Sequence, residues 1–201
     1  MLEYILETKY SDEGYSVICG TDEAGRGPLA GPVFAAACIL PAGLVIDGLN
    51  DSKKISEKKR EKLFDIICRE AVSYGIASAS VEEIDSINIL EAAQLAMRRA
   101  VAMLTPVPDL VLVDGNIARG FEMKAVPVIG GDALSPSIAA ASILAKVSRD
   151  RDCILLDEKY PEYGFAKHKG YPTKEHRQKV FELGPCPDHR KTFLGFLQKM
   201  K

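Results

Sequence analysis

The sequence predicts an α/β fold built on a mixed sheet. Short apolar runs of strand length recur along the chain, and the first two are joined by a turn rich in glycine and proline. Segments with apolar residues at helical spacing separate the later runs. With 201 residues, 47% hydrophobic and 27% charged, the chain is long and apolar enough to bury a core. That composition excludes a disordered chain, a collagen-like fibre and a disulfide-stapled miniprotein.

Taken in order, 16–22 and 32–40 read as a strand pair with β-branched and small apolar residues. Ser56 opens a charged segment in which Leu63, Phe64, Ile67 and Ala71 follow helical spacing, and 72–80 reads as a third strand. Asn88 and Glu91 form an Asx-x-x-Glu helix start, with the helix running over 89–104 until Pro106. The run 109–114 is the clearest buried strand, ending in Asp114 and Gly115, and 125–129 is another. An Ala-rich helix over 136–156 and a shorter charged one over 173–183 complete the order β-β-α-β-α-β-β-α-α. No repeat or linker divides the chain.

Five cysteines without a Cys-x-x-Cys spacing argue against zinc and against a disulfide framework; Cys19 and Cys38 sit in apolar runs as small core residues. No stretch approaches the ~18 uninterrupted apolar residues of a membrane helix, and the N-terminus lacks a signal-peptide pattern, so a cytoplasmic location is expected. Net charge is −2, yet it is unevenly spread. From Lys146 onward there are 13 basic and 8 acidic residues, against 13 and 20 before it. An acidic front and a basic back hint at a polyanionic partner.

The densest feature is Gly20-Thr21-Asp22-Glu23-Ala24-Gly25-Arg26-Gly27-Pro28. Side chains alternate across a strand, so adjacent acids share a site only where the strand ends or bends, which Ala24-Gly25 permits. Gly-Arg-Gly lets backbone approach a ligand closely while a guanidinium meets phosphate; the alternative is a polar turn with solvated acids. Asp114 ends a buried strand, where α/β sheets usually place ligands, though an Asp-Gly turn reads equally well. Asp132, ahead of the long helix, doubles as an ordinary helix-start residue. If the four carboxylates converge, hard divalent ions, Mg²⁺ or Mn²⁺, would relieve their repulsion and could act on a phosphodiester. Around them lie Lys53, Lys54, Ser142, Lys146 and Arg149, with Ser142 and Lys146 four apart on one helix face, and the run from Lys167 to Thr173 with Tyr171. Lys58, Lys59, Arg60 and Lys62, with Glu57 and Glu61 interspersed, read as a solvated helix face. His176 and His189 read as surface or structural residues, and His168 as a modest substrate-contact candidate.

These residues resemble bacterial ribonuclease HII from about Val17 to Phe193. The resemblance rests on the run from Gly20 to Pro32, Leu49 to Lys54, Ile84 to Leu90, Leu112 to Gly115, Gly131-Asp132 with Ser137 to Asp150, and Tyr163-Gly164-Phe165 with His168 to Thr173. It implies an RNase H-like fold, a mixed five-stranded sheet flanked by helices, as one domain: a catalytic core over about 16–157 and a helical C-terminal segment over about 158–201. It also implies metal-dependent cleavage, with Mn²⁺ or Mg²⁺, on the 5′ side of a ribonucleotide in RNA–DNA hybrids or in otherwise DNA duplex, and a role in removing misincorporated ribonucleotides and RNA primers. Asp22, Glu23, Asp114 and Asp132 become the metal-binding and catalytic acids. Gly25, Arg26 and Gly27 become the reader of the 2′-hydroxyl, and Tyr171 the aromatic on the neighbouring sugar. Lys53, Lys54, Ser142 and Lys146 become phosphate contacts. Arg26 and the short stretch before the first strand favour type HII over its sister HIII, which carries an extra N-terminal domain and typically lysine at that position. Ala93 and Thr192 depart mildly from the family pattern. The expected state is a monomer, with no sliding-clamp-binding peptide evident in 195–201. Two rivals are a different Mg²⁺ phosphotransferase or phosphatase, and a non-catalytic nucleic-acid-binding module.

Overall fold

The computed structural model describes residues 2–50, 52 and 55–199. β1 (Ile18–Ala24) and β2 (Val33–Ile39) form the expected antiparallel pair, and β3 (Ser73–Ala79) adds antiparallel to β2. β4 (Leu110–Asp114) pairs in parallel with β1, and β5 (Lys124–Val128) in parallel with β4. The result is a five-stranded mixed sheet in the order β3-β2-β1-β4-β5, with β1 at its centre. Strand bounds differ from the sequence reading by one or two residues. The difference that matters is at β1. Pairing continues to Ala24 opposite Phe34, so Asp22 and Glu23 both lie inside the strand, and the bend comes at Gly25 (φ +103°).

The helices are α1 (Ile5–Asp12), α2 (Glu57–Glu70), α3 (Val81–Ala102), α4 (Pro136–Lys159), α5 (Phe165–His168) and α6 (Lys174–Leu183). α3 covers one sheet face, where Ala92, Ala96 and Met97 pack with Cys19, Val111 and Val113. α4 and α2 cover the other, where Ala140, Leu144, Leu63 and Ile67 join Ala36 and Cys38. The small residues of α4 let its backbone come close to the sheet. Gly20 is the closest approach: a Cβ there would overlap the Ser137 carbonyl carbon and the Ile138 nitrogen. The start of α4 is thereby fixed over β1, on the face that Asp22 shares with Ile18 and Gly20.

The helix expected over 89–104 begins eight residues earlier, at Val81. Ser80 and Glu83 form a capping box at its start, and Asn88 (φ +66°) breaks it, its Oδ1 accepting the Leu90 and Glu91 N–H groups. The motif is a true cap, but of the second of two stacked stretches. α1 and α5 were not legible as helices. α1 buries only Tyr10, so it carries no apolar stripe, and α5 is four residues long.

The C-terminal residues build a separate apolar cluster in which Tyr163, Phe165, Val180 and Leu194 pack against Leu29 and Leu156. It is stitched to the β1–β2 connection by backbone: Ala30 bridges His189, the Leu29 N–H donates to Gly170 O and the Gly31 N–H to Asp188 O. Among the described residues no helix is long and apolar enough to cross a membrane. The five cysteines are free, with Cys19 and Cys38 in the core as expected.

Candidate active site

The site forms where the parallel strands β1 and β4 end, the place at which an α/β sheet leaves a crevice. Thr21 pairs with Val113, so Asp22 and Asp114 lie one residue further along adjacent strands, on the α4 face. Each commits one oxygen to backbone: Asp22 Oδ1 accepts the Glu23 N–H at 2.7 Å, and Asp114 Oδ1 accepts the Gly131 N–H at 2.7 Å. The second bond draws the turn Gly131–Ala133, and with it the buried Asp132, to the end of β4. Ser135, not Asp132, caps α4, through its hydroxyl to the Ile138 N–H. Asp132 is therefore not needed as a helix cap. Glu23 turns to Arg26, whose Nη1 stands 3.2 Å from its Oε1.

Electrostatics ties three of these acids together. Burial holds the Asp22 carboxyl well above the usual carboxylate range, the charges of Glu23 and Asp114 push it further, and bonds from the Ser142 hydroxyl and the Glu23 N–H pull it back. Glu23 is raised by burial against the pull of Arg26. The donor set is all carboxylate oxygen, and a divalent cation would turn its mutual repulsion into attraction, which fits Mg²⁺ or Mn²⁺ in kind. Among the described residues no three His, Cys, Asp or Glu side chains stand close enough around one point to hold an ion.

A cleft of about 570 Å³ opens in front of Asp22 and Glu23. Residues 25–27 form one wall, Ser142, Lys146 and Arg149 of α4 the floor, and Tyr171 the far rim. Asp114 and Asp132 are not part of that lining. Ser142 Oγ lies 2.9 Å from Ser52 Oγ, and Lys146 Nζ pairs with Asp150 at 2.6 Å. Lys53 and Lys54, expected phosphate contacts, lie outside the described residues. Tyr171 is 43% exposed, and a Cβ on Gly27 would sit 3.4 Å from its ring. A Cβ at Gly25, by contrast, would overlap the Arg149 side chain.

Two arginines organise this cleft: Arg149, which the sequence places beside Ser142 and Lys146 among the residues suited to a polyanion, and Arg190, which nothing in the sequence singles out. Arg190, fully buried, donates to the carbonyls of Gly25, Arg26, Pro28, Gly31 and Pro32 over 2.7–3.3 Å. It is a template on which the loop is wound. Burial and the neighbouring Arg149 lower its pKa to about 9, still charged at neutral pH. Arg149, 1% exposed, donates to Lys169 O, and its Cζ lies 5.7 Å from the Tyr171 ring centre. In sequence Arg190 stands in the charged run from Asp188 to Lys191, which reads as solvated surface.

The histidines differ from the sequence reading. His168 is not exposed toward the cleft: it is buried, with Nε2 on Tyr163 O and Nδ1 on the Gly170 N–H. His176 and His189 are buried beside it, and the rings of His168 and His176 stack at 4.2 Å. Their role is structural, but internal rather than at the surface, because Phe165 and Tyr163 close over them.

Fold and site together define a class of α/β proteins in which carboxylates at the ends of adjacent parallel strands face a cationic, aromatic-rimmed cleft. The ribonuclease HII family model matches residues 19–196, and the chain belongs to that family; it is an endonuclease of the ribonuclease H kind. It is similar to ribonuclease HII 1 of Methylibium petroleiphilum, with 58% identity over 174 residues, 87% of this chain and 88% of that one. Among solved structures it resembles the ribonuclease H2 of Pyrococcus horikoshii, at a TM-score of 0.75 and 26% identity over 92% of this chain and 98% of the other. It also resembles the RNase HII of Archaeoglobus fulgidus solved in complex with PCNA, at 0.72 and 25% over 88% and 94%. The expected RNase H-like sheet is thus borne out.

Proposed function

We propose that this endonuclease hydrolyses the phosphodiester on the 5′ side of a ribonucleotide, in RNA–DNA hybrids and at single ribonucleotides embedded in DNA duplex. One observation carries the reading: the acids and the recognition loop are a single continuous segment. Asp22 and Glu23 run through one residue into Gly25-Arg26-Gly27, so whatever the loop holds is delivered to the carboxylates beside it.

In this reading Asp22, Glu23, Asp114 and Asp132 would hold two divalent ions, Mn²⁺ or Mg²⁺. Ions bound there supply activation of water and stabilisation of the leaving 3′-oxygen, giving 3′-hydroxyl and 5′-phosphate ends. The chain's own residues bind and orient. The two glycines let peptide groups approach the ribose 2′-hydroxyl, which separates RNA from DNA. Arg26 meets a phosphate, and Ser142 and Lys146 on the cleft floor meet others. Tyr171 packs against the sugar beside the cut and senses whether DNA follows. No histidine acts as a general base, since all three are buried away from the cleft lining. The proposal includes a role in removing misincorporated ribonucleotides and RNA primers, performed by a monomer in the cytoplasm. No sliding clamp enters the proposal.

The test is Asp114→Asn. It is expected to bind an RNA–DNA hybrid with near wild-type affinity and to lose cleavage by at least about a hundredfold in Mn²⁺ or Mg²⁺. Full retained activity removes Asp114 from the metal-holding set.

A further inference from the structure

The two recognition elements of the cleft come from distant parts of the chain, and a chain of buried hydrogen bonds joins them. The Cys186 N–H and Sγ both lie 3.0 Å from His189 Nδ1. His189 Nε2 lies 3.0 Å from His176 Nε2, and His176 Nδ1 lies 2.9 Å from Tyr171 O. The ends of the chain fix its direction. A backbone N–H only donates, so His189 Nδ1 accepts and its Nε2 carries the proton. A carbonyl only accepts, so His176 Nδ1 carries its proton and its Nε2 accepts. The two assignments, made from opposite ends, agree on one bond in the middle: His189 Nε2–H donates to His176 Nε2. Both rings must be neutral for it to exist, and burial lowers each pKa to about 4.

One end of this chain is the Tyr171 carbonyl. The other is continuous with the loop, because His189 bridges Ala30 and precedes Arg190, which holds five carbonyls of residues 25–32. We propose that His176 and His189 are positioning residues that lock the Tyr171 turn to the Gly25-Arg26-Gly27 loop, and so set the enzyme's selectivity for ribonucleotide–DNA junctions. The selectivity half rests on the proposed roles of Tyr171 and the loop; the lock itself does not.

His189→Phe tests it, since the ring sits among Tyr163 and Phe165 and a phenyl retains that packing while removing every bond in the chain that involves His189. His189→Gln returns an amide donor near the Nε2 position. Hydrogen exchange of the full chain is followed over residues 168–173 and 25–32, alongside the ratio of cleavage on a single-ribonucleotide duplex to that on a long RNA–DNA hybrid. The Phe variant is expected to exchange faster in both segments and to lower the ratio about tenfold, one buried hydrogen bond's worth, with the Gln variant close to wild type in both. Unchanged exchange in either segment of a folded Phe variant overturns the proposal, as does a Gln variant as impaired as the Phe variant. If the Phe variant does not fold, His176→Gln decides: it keeps an acceptor for His189 and loses the Tyr171 bond, so exchange must rise over 168–173 and not over 25–32. Tyr171→Ala runs in parallel. An unchanged ratio there sinks Tyr171 as a junction sensor, while the exchange data still decide the lock.

Discussion

Arg190→Lys separates charge from geometry at the loop that carries the acids. The guanidinium reaches five carbonyls from three nitrogens spread over a planar fork: Nε to Gly31 O, Nη1 to Arg26 O and Pro28 O, Nη2 to Gly25 O and Pro32 O. An ammonium donates three bonds from one point and keeps the charge. At least two carbonyls therefore lose their donor in a site with little access to water. At roughly 1–2 kcal/mol for each buried acceptor left unpaired, the cost is about 2–4 kcal/mol. For a chain of this size that lowers the melting temperature by about 5–15 °C. Cleavage should suffer more than binding, because the loop's peptide groups lose their fixed orientation while the phosphate contacts proposed for α4 remain. The assay is a thermal melt together with kcat and KM on a duplex carrying one ribonucleotide. A Lys variant with unchanged melting temperature and unchanged kcat refutes the template role of Arg190.

Two further predictions concern buried charge. Asp22→Asn is expected to abolish cleavage and yet stabilise the metal-free protein by about 1–3 kcal/mol near pH 8, since it removes a buried charge facing Glu23 and Asp114. The sign follows from the raised carboxyl. The neutral acid is the form the fold accepts, so its stabilisation is full below the unfolded value of ~4 and is lost as pH rises through the folded value, and the variant's advantage must vanish near pH 4. Melts at the two pH values check this; destabilisation at both contradicts it. The histidine pair predicts an opposite slope. His176 and His189 titrate at about 4 when folded against 6.5 ordinarily, among His168, Tyr163, Cys186 and Asp188. Their stabilisation is full above ~6.5 and falls as pH drops toward 4, by up to about 3 kcal/mol for each ring. Urea unfolding between pH 7 and 5 reads it, and the His189→Phe variant should show a shallower slope than wild type.

Much of the fold was legible because the apolar pattern is local. Each of the five strands is a short run bounded by turn residues, and α4 announces itself by its alanines. Asp22 and Asp114 stood out because each follows such a run, while the parallel pairing of β1 with β4 that brings them side by side is set only by the fold. What stayed hidden depends on contacts between distant residues. Nothing near Arg190 says that its fork will meet carbonyls some 160 positions away, and a charged run reads as solvent-facing by default. His168 and His189 lie in basic, glycine- and proline-bearing segments and His176 on a charged helix, the usual signatures of surface. They are buried because Phe165 and Tyr163, on the short helix α5 and just before it, close over them. The early start of α3 escaped notice because Val81 and Ile84 alone anchor its first stretch.

The most direct test of the account uses two DNA duplexes that differ by one oxygen atom, one with a single ribonucleotide and one with the matching deoxynucleotide. Each is incubated with the wild-type protein with and without Mn²⁺ or Mg²⁺, and the ends are mapped. The account predicts one nick, immediately 5′ of the ribonucleotide, in the first duplex alone and only with the divalent ion. Cleavage of both duplexes, or of neither, contradicts it.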